Sequence, residues 1–215
     1  MAPNDHSALI RAAAGTVLSP LGFQQKGRSR VWFADRGLWM LLVEFQPSGF
    51  GKGSYLNIAA SWFWHSESDW QFDYMKRASG FVPFESMEQF RPEAERLAKL
   101  AGAEAAKLDK EFASLKEIAD HLKEQTKDRR RSQNPWTLYH AAIVATLTGD
   151  QEFSLKCFGD LASQEAQNDC HEKLQDEAVV LAKLVPERKK FQAAILAKVA
   201  DTRARLKLAP LRDRF

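Results

Sequence analysis

The spacing of apolar residues changes character twice along the chain. Over residues 7–18, Leu9, Ile10, Ala13, Ala14, Val17 and Leu18 recur at helical intervals. Asn4, Asp5 or Ser7 can cap this helix, and Pro20 and Gly22 end it. From Arg28 onward the period shortens to two. Residues 28–34 carry Val31, Trp32 and Phe33 and close on the turn Asp35-Arg36-Gly37. A longer run over 38–46 is broken by Pro47-Ser48-Gly49, and Gly49, Gly51 and Gly53 form a hairpin-like loop. Over 54–65, Leu56, Ile58, Ala60, Trp62 and Trp64 alternate with Tyr55, Asn57, Ala59, Ser61, Phe63 and His65, as in a strand. Three or four antiparallel strands with a helix across one face is the economical arrangement, because so small a sheet cannot bury both faces by itself.

Beyond the strands the helical period returns. A short helix is predicted over 69–77, followed by an irregular or edge segment, Phe81-Val82-Pro83-Phe84. Pro92 suits the first position of a helix running to Leu108. Ser114-Leu115-Lys116-Glu117 reads as a capping box, opening a helix that buries Leu115, Ile118, Ala119 and Leu122. The run Lys127-Asp128-Arg129-Arg130-Arg131-Ser132 marks a linker, which gives an α+β domain over 1–126, a linker over 127–135 and a helical domain over 136–215. Helices are expected over 136–148, 152–168, 170–184 and 187–208, punctuated by Gly149-Asp150 and Pro186. The fold class expected is therefore α+β: an N-terminal helix packed on a small antiparallel sheet, then an all-helical C-terminal half.

Three separated motifs carry a family resemblance. Leu21-Gly22-Phe23-Gln24-Gln25-Lys26-Gly27-Arg28, then Phe45-Gln46-Pro47-Ser48, then Tyr55-Leu56-Asn57-Ile58 occur in that order, and Phe112-Ala113-Ser114-Leu115 precedes a later helix. Over about residues 7–125 this pattern resembles a bacterial family known as domain of unknown function 4304. The resemblance implies an α+β fold and no particular activity. The compact loop at Gly49–Gly53 and the aromatic run Trp62-Phe63-Trp64 depart from the family pattern. Downstream, Leu138-Tyr139-His140-Ala141-Ala142 through Gly149-Asp150 to Phe158 resembles one degenerate tetratricopeptide-type helix pair, with Ser154 where Ala is usual. No second copy follows at a 34-residue period, so a packing solution is expected and not a repeat array.

Composition narrows the classes. Sixteen of the 23 aromatic residues, including five of six Trp, fall in residues 1–90, which demands a buried core there and excludes low-complexity disorder. Two Cys cannot staple 215 residues, and no window of 18 apolar residues exists to span a membrane. The opening Met1-Ala2-Pro3-Asn4-Asp5-His6 lacks the basic and apolar regions of a signal peptide, so a cytoplasmic location is expected. The net charge is +3, but residues 187–215 carry nine basic groups against three acidic ones. A helix C-terminus favours such cations, and a weak nucleic-acid contact through them, or through Lys127 and Arg129–Arg131, is a minor alternative.

Signals for catalysis are sparse. The His (6, 65, 121, 140, 171) and Cys (157, 170) lack zinc-ligand spacing, so neither a metal nor a cofactor is expected, and Cys157 reads as a buried small hydrophobe. No nucleophile elbow and no phosphate loop is present. The strongest constellation lies on the sheet, where alternation places polar residues opposite Trp62 and Trp64, edged by Tyr55 and Phe63. There Arg28 would supply charge, with Gln46, Asn57 and His65 supplying hydrogen bonds to a ligand or partner. The leading expectation is a non-catalytic module binding a protein or small ligand through that face or through the groove between the two halves, with surface-capable aromatics such as Trp39, Trp62 and Trp64. The alternative is an enzyme using His65 as base, Glu44 as acid and Arg28 as anion holder.

Overall fold

A computed structural model describes residues 5–65 and 70–211; Asn4 and Asp69, to which a cap and a helix start were assigned above, lie outside them. The described chain forms two compact units, residues 5–110 with 201–211, and residues 111–200. The segment 127–135 lies within the second unit and holds a short helix. Among the described residues no helix is long and apolar enough to cross a membrane.

The first unit opens with α1 (Asp5–Leu18) and a 3₁₀ turn (Ser19–Leu21) that Gly22 closes in the left-handed region. A five-stranded antiparallel meander follows: β1 (Gln24–Gln25), β2 (Val31–Asp35), β3 (Trp39–Pro47), β4 (Gly53–Trp62) and β5 (Tyr74–Pro83). The alternation over 28–62 thus yields strands, although the strand read over 54–65 stops at Trp62, and α2 (Met87–Glu111) comes next. Trp32, Leu41, Val43, Phe45, Leu56, Ile58, Ala60 and Trp62 share one sheet face and are buried. Helix α1 meets that face at Gly15, where an added Cβ would lie 3.6 Å from the Trp32 ring. Helix α2 reaches it where Lys76 pairs with Glu104.

Two expectations fail here. Within the span 69–77 predicted as a helix, Tyr74 to Arg77 instead begin β5, and Arg77, Lys76, Met75 and Tyr74 pair with Asn57, Ile58, Ala59 and Ala60 of β4. Available backbone partners on β4 outweigh local propensity, and the Lys and Arg suit an edge strand that must not recruit another chain. Helix α2 begins at Met87, so Pro92 sits inside it and not at its start. Near the helix start a missing N–H removes only one early bond, so buried Phe90, Ala94, Leu97 and Ala98 hold the helix together there.

Residues 201–211 complete the first unit. Arg203, with its side chain 5% exposed, places both guanidinium edges on fixed oxygens. Nη1 and Nη2 donate to the Asp35 carboxylate at 2.8 and 2.6 Å, Nη1 also donates to the Gly37 carbonyl, and Nε donates to the Ala209 carbonyl. The Thr202 hydroxyl donates to the His65 carbonyl at 2.8 Å. The basic end of the last helix is thus occupied within the fold, with Arg205 on Asp201, and not merely favoured by the helix dipole. Arg212 and Arg214 lie outside the described residues.

The second unit contains α3 (Leu115–Gln125), α4 (Arg129–Ser132), α5 (Pro135–Thr148), α6 (Gln151–Ala162), α7 (Asp169–Leu184) and α8 (Arg188–Arg205) up to residue 200. Ser114 caps α3 by accepting from the Glu117 N–H, as the capping box predicts. Helix α5 is buried on all sides, from Leu138 to Leu147, and is the core of the unit. Gly149, at φ 98°, ends it, and the Asp150 side chain starts α6. Ser154 donates to the Ala142 carbonyl and bonds the Thr146 hydroxyl at 2.6 Å, so a polar residue packs there without an unsatisfied group. Burial pushes the Cys157 thiol up to about 12, in keeping with a packing role.

Helix α1 is held to the sheet by a polar clasp. Arg30 Nη2 donates to Ser7 Oγ at 2.7 Å and meets His6 Nδ1 at 3.0 Å, while the His6 ring lies edge-on to Phe90. Burial first, then the charges of Arg30 and Lys52, lower His6 to about 4. Because the folded value lies below the unfolded 6.5, the unfolded chain binds the extra proton first as pH falls. Stability should therefore drop by on the order of 2 kcal/mol between pH 6.5 and pH 4, measured by urea unfolding, and His6→Phe should remove that step. An unchanged pH profile in the variant contradicts this assignment.

Candidate functional site

The register fixes which polar side chains meet. Glu44 opposes Asn57, Gln46 opposes Tyr55, and Asn57 opposes Arg77, so all five residues share the face turned away from Trp62. That face has two parts. Met40, Leu42, Ala59 and Ser61 are buried, whereas Glu44, Gln46 and Tyr55 are half-buried and Arg77 is exposed, towards the hairpin between β3 and β4.

Asn57, 1% exposed, organises the strip. Its Nδ2 donates to Glu44 Oε2 at 2.9 Å and to Gln46 Oε1 at 3.0 Å, while its Oδ1 accepts from Arg77 Nε at 3.3 Å. Arg77 Nη2 donates to Gln46 Oε1 at 2.7 Å, and the guanidinium lies 4.2 Å from the centre of the Tyr55 ring. Phe81 flanks Tyr55 at 5.3 Å. The result is an exposed cation of fixed direction beside a carboxylate and an amide, with an aromatic rim.

Of the four site residues expected from sequence, Gln46 and Asn57 come together, and Arg28 and His65 do not join them. Arg28 sits exposed in the turn between β1 and β2 and makes no hydrogen bond with Glu44, Gln46 or Asn57. His65 lies beyond Trp62, where β4 ends, and Trp62 is already about 16 Å along the strand from Asn57. There its ring is buried with Nε2 3.3 Å from Asp73, whose carboxylate also accepts the Trp62 N–H. The trio His65, Glu44 and Arg28 is therefore not assembled as one catalytic group. Trp39, Trp62 and Trp64 are buried as well, with Trp62 and Trp64 stacked 5.2 Å apart, so none is available as a contact residue. Phe63 is buried too and lies under Arg203, leaving Tyr55 and Phe81 as the aromatic edge. Among the described residues no three His, Cys, Asp or Glu side chains converge as a metal cage.

Arg77 is the residue the sequence reading missed, because 69–77 was given a helical period. Read with a period of two, Tyr74 and Lys76 separate from Met75 and Arg77, and Gly80 and Pro83 close a strand; that alternation is the signal that places Arg77 beside Asn57.

The fold defines an α+β protein: two helices over one face of a five-stranded antiparallel meander, together with a helical unit. The chain belongs to the family described as domain of unknown function (DUF4304), whose model matches residues 14–178. The match runs past residue 125, where the resemblance read from motifs ended, and takes in helices α5 and α6 and most of α7. No curated protein and no solved structure matches the chain.

Because Asn57 on β4 satisfies partners on both neighbouring strands, β3 and β5, Asn57→Leu should strand the Glu44 carboxylate and loosen Arg77. Urea unfolding should show a loss of about 1–2 kcal/mol. An unchanged midpoint means that the strip is held by the backbone alone.

Proposed function

We propose that this chain is a non-catalytic binding module that engages a polypeptide through the strip formed by Glu44, Gln46, Tyr55 and Arg77. The observation that carries the reading is the state of Arg77: exposed, yet held by Gln46, Asn57 and the Tyr55 ring. An ordinary surface arginine loses side-chain freedom on binding, whereas one already fixed loses little. Arg and Tyr are also the residue types that dominate binding hot spots. Nη1 remains open to a carbonyl or carboxylate, and Glu44 and Gln46 offer acceptors to N–H groups. A polypeptide supplies both kinds of group along one edge, and Phe81, 39% exposed, supplies an apolar margin.

The test is native mass spectrometry of the tagged full chain recovered from its own cells. The wild type should carry a second protein in fixed ratio, and Arg77→Ala and Tyr55→Ala should each lose it while keeping the wild-type unfolding midpoint within about 1 kcal/mol. A partner retained by both variants, or a bare chain in the wild type, contradicts the reading.

A further inference from the structure

Ile10, Ala14 and Leu18 seat most of α1 by burial, but its first turn depends on a different kind of contact. His6 is 3% exposed, and its ring packs on Phe84 and Phe90 at 5.2 and 4.8 Å. Its Nδ1 meets Arg30 Nη2, and the same guanidinium donates from Nε and Nη2 to Ser7 Oγ. A guanidinium carries donors only, so Nδ1 is the acceptor and the proton of the neutral ring sits on Nε2. The clasp therefore exists in one protonation state of His6.

A second proton has to go on Nδ1, the atom that receives Arg30. The hydrogen bond then becomes two N–H groups facing each other on two cations. No neighbour offsets this. The charged groups that face His6 are Arg30, just ahead of β2, and Lys52, on the hairpin between β3 and β4, while Arg11 of α1 bears on Arg30. None of the three pairs with a carboxylate among the described residues. Helix α2 contributes Phe90 and the segment before it Phe84, neither of which titrates. Turning the ring over gives no escape, because Nε2 is buried without a hydrogen-bond partner and is a donor as well. Burial and charge thus act together against a protonated ring.

We infer that His6 is an acid-sensitive latch: protonation breaks its hydrogen bond to Arg30, lifts the first turn of α1 away from Phe84 and Phe90 and uncovers them, while Ile10, Ala14 and Leu18 keep the rest of the helix seated. This is a local release, distinct from the loss of global stability predicted above. The amides of residues 9–12 report it, since in the helix they bond to the carbonyls of residues 5–8. In native-state hydrogen exchange of the full chain, corrected for the intrinsic pH dependence of exchange, their protection should fall on the order of fiftyfold from pH 7 to pH 4.5, because the ring titrates at about 4 when closed and at 6.5 when released. At pH 4.5 that exchange should be insensitive to low urea, since a single turn exposes little surface. In His6→Gln the side-chain carbonyl still accepts from Arg30 but does not titrate, so protection there should change less than about twofold over the same range. The inference is overturned if wild-type protection of residues 9–12 is the same at both pH values, if their exchange follows urea as steeply as unfolding of the whole chain, or if His6→Gln shows the wild-type fall.

Discussion

The tight turn between β2 and β3 is clamped by two arginine–carboxylate forks, and the organisation of the sheet unit depends on them. Arg36 reaches Asp109 of α2 with paired bonds of 2.6 and 2.9 Å. Asp35, on the same turn, receives the buried fork of Arg203 and also accepts the Gly37 N–H at 2.9 Å. Such pairs are directional as well as charged, so they fix orientation in a way that a lysine does not. Gly37 lies at φ 80°, and a Cβ there would meet Leu211 at 3.2 Å, so the turn and the C-terminal segment are shaped for each other. A buried guanidinium is costly unless every edge is satisfied, and here two carboxylate oxygens and two carbonyls satisfy it.

This explains why a chain that reads as two successive halves does not divide that way. Sequence order suggests that everything after residue 126 belongs together, yet residues 201–211 are part of the sheet unit. Periodicity could not reveal this, because Arg203 looks like any basic residue near a helix C-terminus. What distinguishes it is a contact with Asp35, 168 positions away. Local patterns record which face of an element is apolar; they do not record which distant charge it meets.

The same limit governs the candidate site. Strand alternation over 54–65 placed Asn57 and Tyr55 opposite Trp62 correctly, and the polar run Glu44 to Gln46 joined them because β3 and β4 are neighbours through a short hairpin. The reading failed where β4 ends. His65 continues the alternation on paper, but the strand stops at Trp62, and His65 turns into a buried contact with Asp73. Trp62 and Trp64 likewise look surface-capable in a list of residues and are core in three dimensions, since stacked indoles bury more apolar area than any polar face offers. Arg77 was hidden by an edge strand whose composition imitates a helix.

The most direct test of the clamp is a double-mutant cycle at Arg203 and Asp35, using Arg203→Met and Asp35→Asn, read by urea unfolding. With the guanidinium buried and the Asp35 side chain 32% exposed, losing either partner is expected to cost about 2 kcal/mol, and the double variant should cost clearly less than the two single changes together, a coupling of about 1 kcal/mol. Two small, strictly additive losses would show that the C-terminal segment is held by packing alone and that the turn does not depend on the fork.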